Sequence, residues 1–230
     1  MQRLRVVRSL RRAAQATRRS PVCEGSARRP RSWCRPLLTF KIAYTAFVLL
    51  VAVIWWRHYS WRNFLWLSDI AFIGAVPALW LEIAAIASVL AVAVLLPEVL
   101  WNVDFVARLL TRRRITGLTD YMFEPERPKL LRGLSLFHVP LPLVLLWLVR
   151  EYGYDASAGL VGAMVLAAVV LPWSRAVSTP ERNINWTYGL GARRSTLPPV
   201  RFVALLYAAF VVLVFVPTHW LLQALYGAQP

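Results

Sequence analysis

Six apolar runs, each about as long as a bilayer is thick, constrain this chain more than any other feature. They are Leu37 to Trp56, Trp61 to Trp80, Leu81 to Trp101, Leu130 to Val149, Ser157 to Val177 and Val200 to Leu222. A helix needs about 20 residues to cross roughly 30 Å of hydrocarbon, where each backbone N–H and C=O must be satisfied inside the segment. The sequence therefore predicts an all-α fold: a polytopic transmembrane helix bundle of about six spans over residues 37–222. A basic tail of residues 1–36 precedes it and a short tail of 223–230 follows. With 58% hydrophobic residues, 17% charged and a mean hydropathy of +0.51, the chain is too apolar for an ordinary soluble domain. Trp55, Trp56, Trp61, Trp80, Trp101, Trp147, Trp173 and Trp220 fall near run ends, where an indole prefers the headgroup layer, and only Trp66 lies inside a run.

The net charge of +16 suggests nucleic acid at first sight, yet +10 of it sits in residues 1–35, which hold eleven Arg against Glu24 alone. That stretch has no hydrophobic periodicity and is expected to be disordered. Three readings of it stay open: an anchor for anionic lipid, an upstream start that is not native, and a nucleic-acid arm. The last lacks the interleaved aromatics that base stacking uses, so no specific nucleic-acid partner is expected. A cleavable signal peptide is disfavoured, because the charged stretch and the first apolar run are both too long. Cys23 and Cys34 both lie in the tail, which leaves no thiol nucleophile in a span and no disulfide framework or zinc motif. The loops between runs three and four and between runs five and six hold Arg108, Arg112, Arg113, Arg114, Arg127, Lys129, Arg182, Arg193 and Arg194. The positive-inside rule makes those loops cytoplasmic, which for six spans puts the Arg-rich tail outside, a conflict that leaves absolute orientation open. The expected location is a cell membrane, the bacterial inner membrane, with membrane lipid as the partner and anionic lipid contacting the tail and basic loops. A protein partner is left open.

Four ionisable residues in four of the runs stand out: Asp69, Glu98, His138 and His219. Such a group costs roughly 2.5–3.5 kcal/mol on insertion scales, so each is read as a candidate site. At ~1.5 Å per residue, Asp69 and His138, each eight residues into its run, fall about 12 Å below the same face. Ser68 adjoins Asp69, Glu98 and Asn102 return to that face, and Glu181-Arg182-Asn183-Ile184-Asn185-Trp186 is expected to cap it. His219 and Glu82 fall on the opposite face, where they are expected to pair. Carboxylates, an imidazole and amides in a low-dielectric interior perturb one another's proton affinities, as acid–base or ion-handling sites require. The alternative for each is a structural hydrogen bond between helices. No HxxxH or HxxH spacing occurs among the three His, and neither a metal nor a cofactor is expected.

The segments Asn63-Phe64-Leu65-Trp66-Leu67-Ser68-Asp69-Ile70-Ala71, Leu134-Ser135-Leu136-Phe137-His138 and Asn183-Ile184-Asn185-Trp186-Thr187-Tyr188-Gly189 resemble those of an uncharacterised bacterial polytopic family. More distantly, a polar residue in an early span, a His in a later one and a following Asn-aromatic segment are similar to the androgen-induced family of intramembrane fatty-ester hydrolases, which pair a span Thr with a span His. That resemblance implies a nucleophile at Ser68 and a base at His138, with Asp69 or Asn185 orienting the imidazole. Three functions follow for testing: a lipid-acting hydrolase or transferase, a proton- or ion-coupled small-solute carrier using Asp69, Glu98 and His138, and a non-catalytic scaffold subunit. Whether the chain is an enzyme is left open at this level.

Overall fold

The computed structural model describes residues 34–190 and 193–227, so the expected disorder of the basic tail and the surroundings of Cys23 lie outside the described residues. Every regular element among those residues is helical. In chain order they are α1 (Cys34–Tyr59), α2 (Leu67–Leu81), α3 (Ala84–Thr111), α4 (Lys129–Ser135), α5 (Leu141–Tyr152), α6 (Ala156–Val177), α7 (Pro199–Phe210) and α8 (Val216–Tyr226). Five stretches are long and apolar enough to cross a membrane: Leu37–Tyr59, Ala84–Thr111, Lys129–Tyr152, Ala156–Val177 and Pro199–Tyr226.

The second expected span is where the structure departs from six equal crossings. Trp61–Leu65 is a 3₁₀ segment, and α2 that follows has 15 residues, short of a full crossing. Leu67 N–H and Leu65 C=O leave the helical pattern at this break and bond instead to the Asn185 side chain. At the far end α2 runs through Pro77 to Leu81. The turn therefore falls at Glu82 (φ 55°) and Ile83, later than the uncharged turn at 78–81 that the sequence suggests.

The chain divides into two compact units after Phe47. In the first, Thr45 Oγ1 donates to Lys41 O at 2.7 Å, and the Phe40 and Tyr44 rings lie 6.0 Å apart along α1. In the second, α3 is the central helix, packed against α2, α5 and α6. Its contact with α6 is close because the facing residues are small: Ala87, Ser88, Ala91, Ala163 and Ala167 are all fully buried, and a Cβ on Gly159 would stand 3.3 Å from Ser88 Cβ. Large apolar side chains such as Leu110, Leu143 and Leu213 face outward, as a lipid-facing surface requires.

Prolines set the irregularities in the long stretches. Pro217 has no N–H for Leu213 C=O, and the backbone widens into a π-turn over Val211–Phe215, with Val216 N–H reaching Val211 O. In Lys129–Tyr152 the break is of another kind: a 3₁₀ segment over Leu136–His138 separates α4 from α5, with Pro140 just before α5 and Pro142 in its first turn.

Candidate functional site

The break at Pro140 and Pro142 positions His138. Without their N–H groups, the carbonyls of Leu136 and His138 lose their usual helical donors. Val139 N–H turns back to Leu136 O at 2.9 Å, and the Asn102 amide of α3 donates to His138 O at 2.8 Å. The same amide nitrogen donates to Glu98 O at 2.8 Å, one turn earlier on α3. Glu98 Oε2 lies 2.8 Å from His138 Nδ1 and its side chain is 3% exposed. Trp101, between Glu98 and Asn102, stacks on one face of the imidazole at 4.6 Å and 22°, and Phe137 covers it at 4.0 Å and 32°. A carboxylate only accepts, and a neutral imidazole that donates Nδ1–H to one keeps its lone pair on Nε2. Among the described residues no protein group bonds Nε2.

Asp69 and Ser68 stand in the first turn of α2, where orphan N–H groups and the helix dipole favour a carboxylate. Asn63 Nδ2 donates to Asp69 Oδ2 at 2.9 Å, and Asp69 is 3% exposed. Asn185 Oδ1 accepts from Leu67 N at 3.0 Å, while its Nδ2 donates to Leu65 O at 2.7 Å and Ser174 Oγ at 2.9 Å. Asn185 therefore ties α2 to α6. Its amide is committed to that bridge, and the group that orients the imidazole is Glu98.

Two loops complete the enclosure. Asp104, fully buried near the end of α3, gathers the first: its Oδ1 accepts from the N–H groups of Ile115, Thr116 and Gly117, and its Oδ2 from the N–H and hydroxyl of Thr119. Asp120 then pairs with Arg108 and, at 2.7 Å, with Arg114. This holds Tyr121 inward, where burial pushes its phenol well above the usual range. In the second loop Asn183, Asn185 and Trp186 have φ of 43°, 51° and 57°. Asn tolerates the left-handed region, but a bulky Trp there stores strain, and such strain persists where the surroundings over-determine it. Asn183 supplies part of that determination by accepting from Tyr188 N and donating to Gly189 O, both at 2.8 Å.

These elements enclose one cavity of about 550 Å³, within the range of small-molecule sites, lined by some of the residues just described. Ser68, Asp69, His138 and Asn185, the four residues singled out by the sequence, all line it, as do Glu98, Asn63 and Tyr121. No hydrogen bond joins Ser68 to His138 among the described residues. Trp66, Trp186 and Phe210 form an aromatic wall, with Trp66 edge-on to Trp186 and Trp186 stacked on Phe210. Arg127 and Arg182 line the exposed end. Trp55 Nε1 and Trp101 Nε1, on two more lining residues, are buried without a protein hydrogen-bond partner. Among the described residues no three His, Cys, Asp or Glu converge on a metal site.

The sequence reading missed Glu98 as the imidazole's partner, Asn102 as its backbone clamp and Asp104 as the organiser of the loop. The signal lay in the helical spacing of Glu98, Trp101, Asn102 and Phe105, which places them along one stripe of α3. On the opposite face, the expected partner of His219 was Glu82. The structure instead pairs His219 Nδ1 with the Tyr154 hydroxyl at 2.7 Å. Comparison with family models, with curated proteins and with solved structures gives no match.

Proposed function

We propose that this multi-pass membrane protein is an enzyme of the cell membrane that hydrolyses or transfers the ester of an amphiphilic lipid, with His138 as general base. The observation that carries the reading is the Glu98–His138 hydrogen bond inside a partly aromatic cavity, which leaves Nε2 free on a ring held on both faces. A carboxylate-oriented imidazole is the acid–base half of the hydrolase constellation, whatever fold carries it. In the reaction, Nε2 takes a proton from the attacking hydroxyl, the oxygen bonds to the ester carbonyl carbon, and the ester C–O bond breaks as Nε2 returns the proton to the leaving alcohol. The Ser68 hydroxyl is the first candidate nucleophile, since it lines the same cavity and matches the position implied by the resemblance to intramembrane fatty-ester hydrolases. Proton transfer requires the Ser68 hydroxyl to come within about 3 Å of Nε2. A water molecule held between Ser68 and His138 is the second candidate.

The test is a fluorophosphonate probe on purified protein, run beside hydrolysis of a short-chain fatty ester in micelles. Labelling and turnover that vanish in Ser68→Ala and in His138→Ala support the serine mechanism. Turnover that survives Ser68→Ala but not His138→Ala assigns the attack to water. Turnover that survives both removes the enzyme reading.

A proton-coupled carrier is the second reading, favoured by two carboxylates, Asp69 and Glu98, each 3% exposed in the one cavity. It expects Asp69→Asn to abolish proton-coupled flux in proteoliposomes while the protein stays folded.

A further inference from the structure

The cavity is polar in two separate ways. Its lining holds buried Asp69 and Glu98 with half-buried His138, and also two guanidinium groups, half-buried Arg127 and exposed Arg182, that bond one tyrosine at its two ends. Arg127 Nη1 donates to Tyr59 Oη at 3.0 Å, and Arg182 Nη1 donates to Tyr59 O at 2.7 Å and to Ser60 Oγ at 3.2 Å. Arg127 also meets Glu124 through Nε at 3.1 Å, an exposed pair of little strength, and among the described residues Arg182 meets no carboxylate. Neither Nη2 has a protein partner among the described residues. Arg127 and Arg182 thus bracket Tyr59, one at its phenol and one at its backbone carbonyl, each with hydrogen-bonding capacity left over, and a guanidinium fork suits a pair of phosphate oxygens.

Resting on the ester-acting reading above, we infer that the cavity takes a phosphate-bearing amphiphile, with its phosphate between Arg127 and Arg182 and its acyl ester carried inward to His138. The chemistry of such a lipid matches the groups that line the cavity. In a glycerophospholipid the phosphate lies at the membrane surface, the acyl esters lie a few bonds deeper, and the chains follow into hydrocarbon. The cavity offers groups for each part: the Arg127 and Arg182 guanidinium groups, the His138 ring with the buried indole N–H donors of Trp55 and Trp101, and the aromatic side chains of Trp66, Trp186 and Phe210. The two indole donors match the acceptors that ester carbonyls provide, and an ester without a phosphate would leave the rim arginines unmatched.

Binding is measured on the full-length chain in detergent, in both wild type and His138→Ala, so that turnover does not enter. The probes are dioctanoyl phosphatidic acid, dioctanoylglycerol and inorganic phosphate, read by Trp fluorescence. Phosphatidic acid is expected to bind both proteins at least about tenfold more tightly than dioctanoylglycerol, and to lose about tenfold in Arg182→Gln and in Arg127→Gln. Arg113→Gln, on the exposed surface away from the cavity, is expected to bind like the parent, which separates the site from general surface charge. Thermal unfolding of each variant confirms that the protein compared is folded, and Arg182→Lys supplies a conservative second variant. Equal binding of the diacylglycerol and the phosphatidic acid, or unchanged affinity in both Arg→Gln variants, overturns the inference. Inorganic phosphate binding as tightly as phosphatidic acid overturns the lipid source. Binding that follows the expected pattern in a protein without turnover upholds the inference while the enzyme reading falls, and turnover of neutral and phosphate-bearing esters at equal rates does the reverse.

Discussion

Two histidines in this molecule use the same ring nitrogen in opposite settings. His138 gives Nδ1 to a buried carboxylate, Glu98, and lines a cavity of about 550 Å³. His219 gives Nδ1 to a phenol, Tyr154, and lines neither that cavity nor the apolar groove of about 420 Å³ between α6 and α7. A carboxylate fixes the tautomer and stabilises a ring that gains a proton, whereas a phenol only satisfies it. An imidazole inside an apolar run is therefore a weak indicator by itself. What separates a base from a bolt is the acid behind the ring and the room in front of it.

The sharpest way to break this contrast is to remove each ring. His138→Ala is expected to lower ester turnover by about 10²–10⁴-fold, the usual range for a general base, while His219→Ala leaves turnover within about twofold. Equal losses in the two variants would erase the distinction. Glu98→Gln keeps the hydrogen bond but removes the charge, and is expected to lower kcat with little change in KM, because its effect is on a ring that gains charge in the transition state.

Each end also has an aspartate that organises a loop. Asp104 is fully buried and accepts from four N–H groups and one hydroxyl, so Asp104→Ala leaves several donors without a partner. Thermal or denaturant unfolding is expected to report a loss of about 3 kcal/mol. Asp104→Asn, which retains one acceptor oxygen, is expected to lose about half as much. Loss of turnover in Asp104→Asn at full stability would show that the loop holding Tyr121 acts on the site itself.

How much of this was legible beforehand differs from element to element. The apolar runs announced the membrane-length helices, because hydrocarbon thickness fixes helix length and the indoles mark the ends. Counting depth put Asp69 and His138 at one level, and the two residues line one cavity. Both helices are interrupted near these residues, His138 by a proline break and Asp69 by the 3₁₀ segment before α2. What a single sequence does not contain is the rotation of one helix against another. Glu98 was visible as a polar residue near a helix end, but its meeting with His138 depends on how α3 turns toward the break at Pro140 and Pro142. Asn185 illustrates the converse. Its polarity and its loop suggested a partner for the imidazole, yet an Asn amide offers donor and acceptor together, and the broken backbone at Leu65 and Leu67 needed both.

At the His219 end the effects are smaller and belong to stability. Burial, with the Asp155 charge beside it, pushes the Tyr154 phenol up to about 12 from its ordinary 10.0. The folded state thus favours the neutral phenol, so this contribution is complete below about pH 10 and is lost as the pH rises toward about 12. Tyr154→Phe is expected to cost about 1 kcal/mol at neutral pH and to flatten that alkaline loss, leaving turnover unchanged. A parallel alkaline loss in the variant would assign the titration elsewhere.

The smallest effect is the most strictly signed. Asp155 caps α6: its Oδ1 accepts from Ala158 N–H and from Ser157 Oγ–H, both at 3.0 Å, and these bonds hold its carboxyl below the usual carboxylate range. An acid whose proton affinity is lowered by folding stabilises the folded state above its unfolded value and loses that contribution as the pH falls through its folded one. Asp155→Ala is expected to cost about 1 kcal/mol at pH 7, the usual worth of an N-cap. The gap between variant and parent should close as the pH is taken down through the carboxylate range. Asp155→Ser, which still caps but does not titrate there, is expected to retain most of the stability and lose the acid dependence. Because this cap lies at the Tyr154 end, all three measurements should leave ester turnover untouched, and a coupled loss would mean that the two ends of the molecule do not act independently.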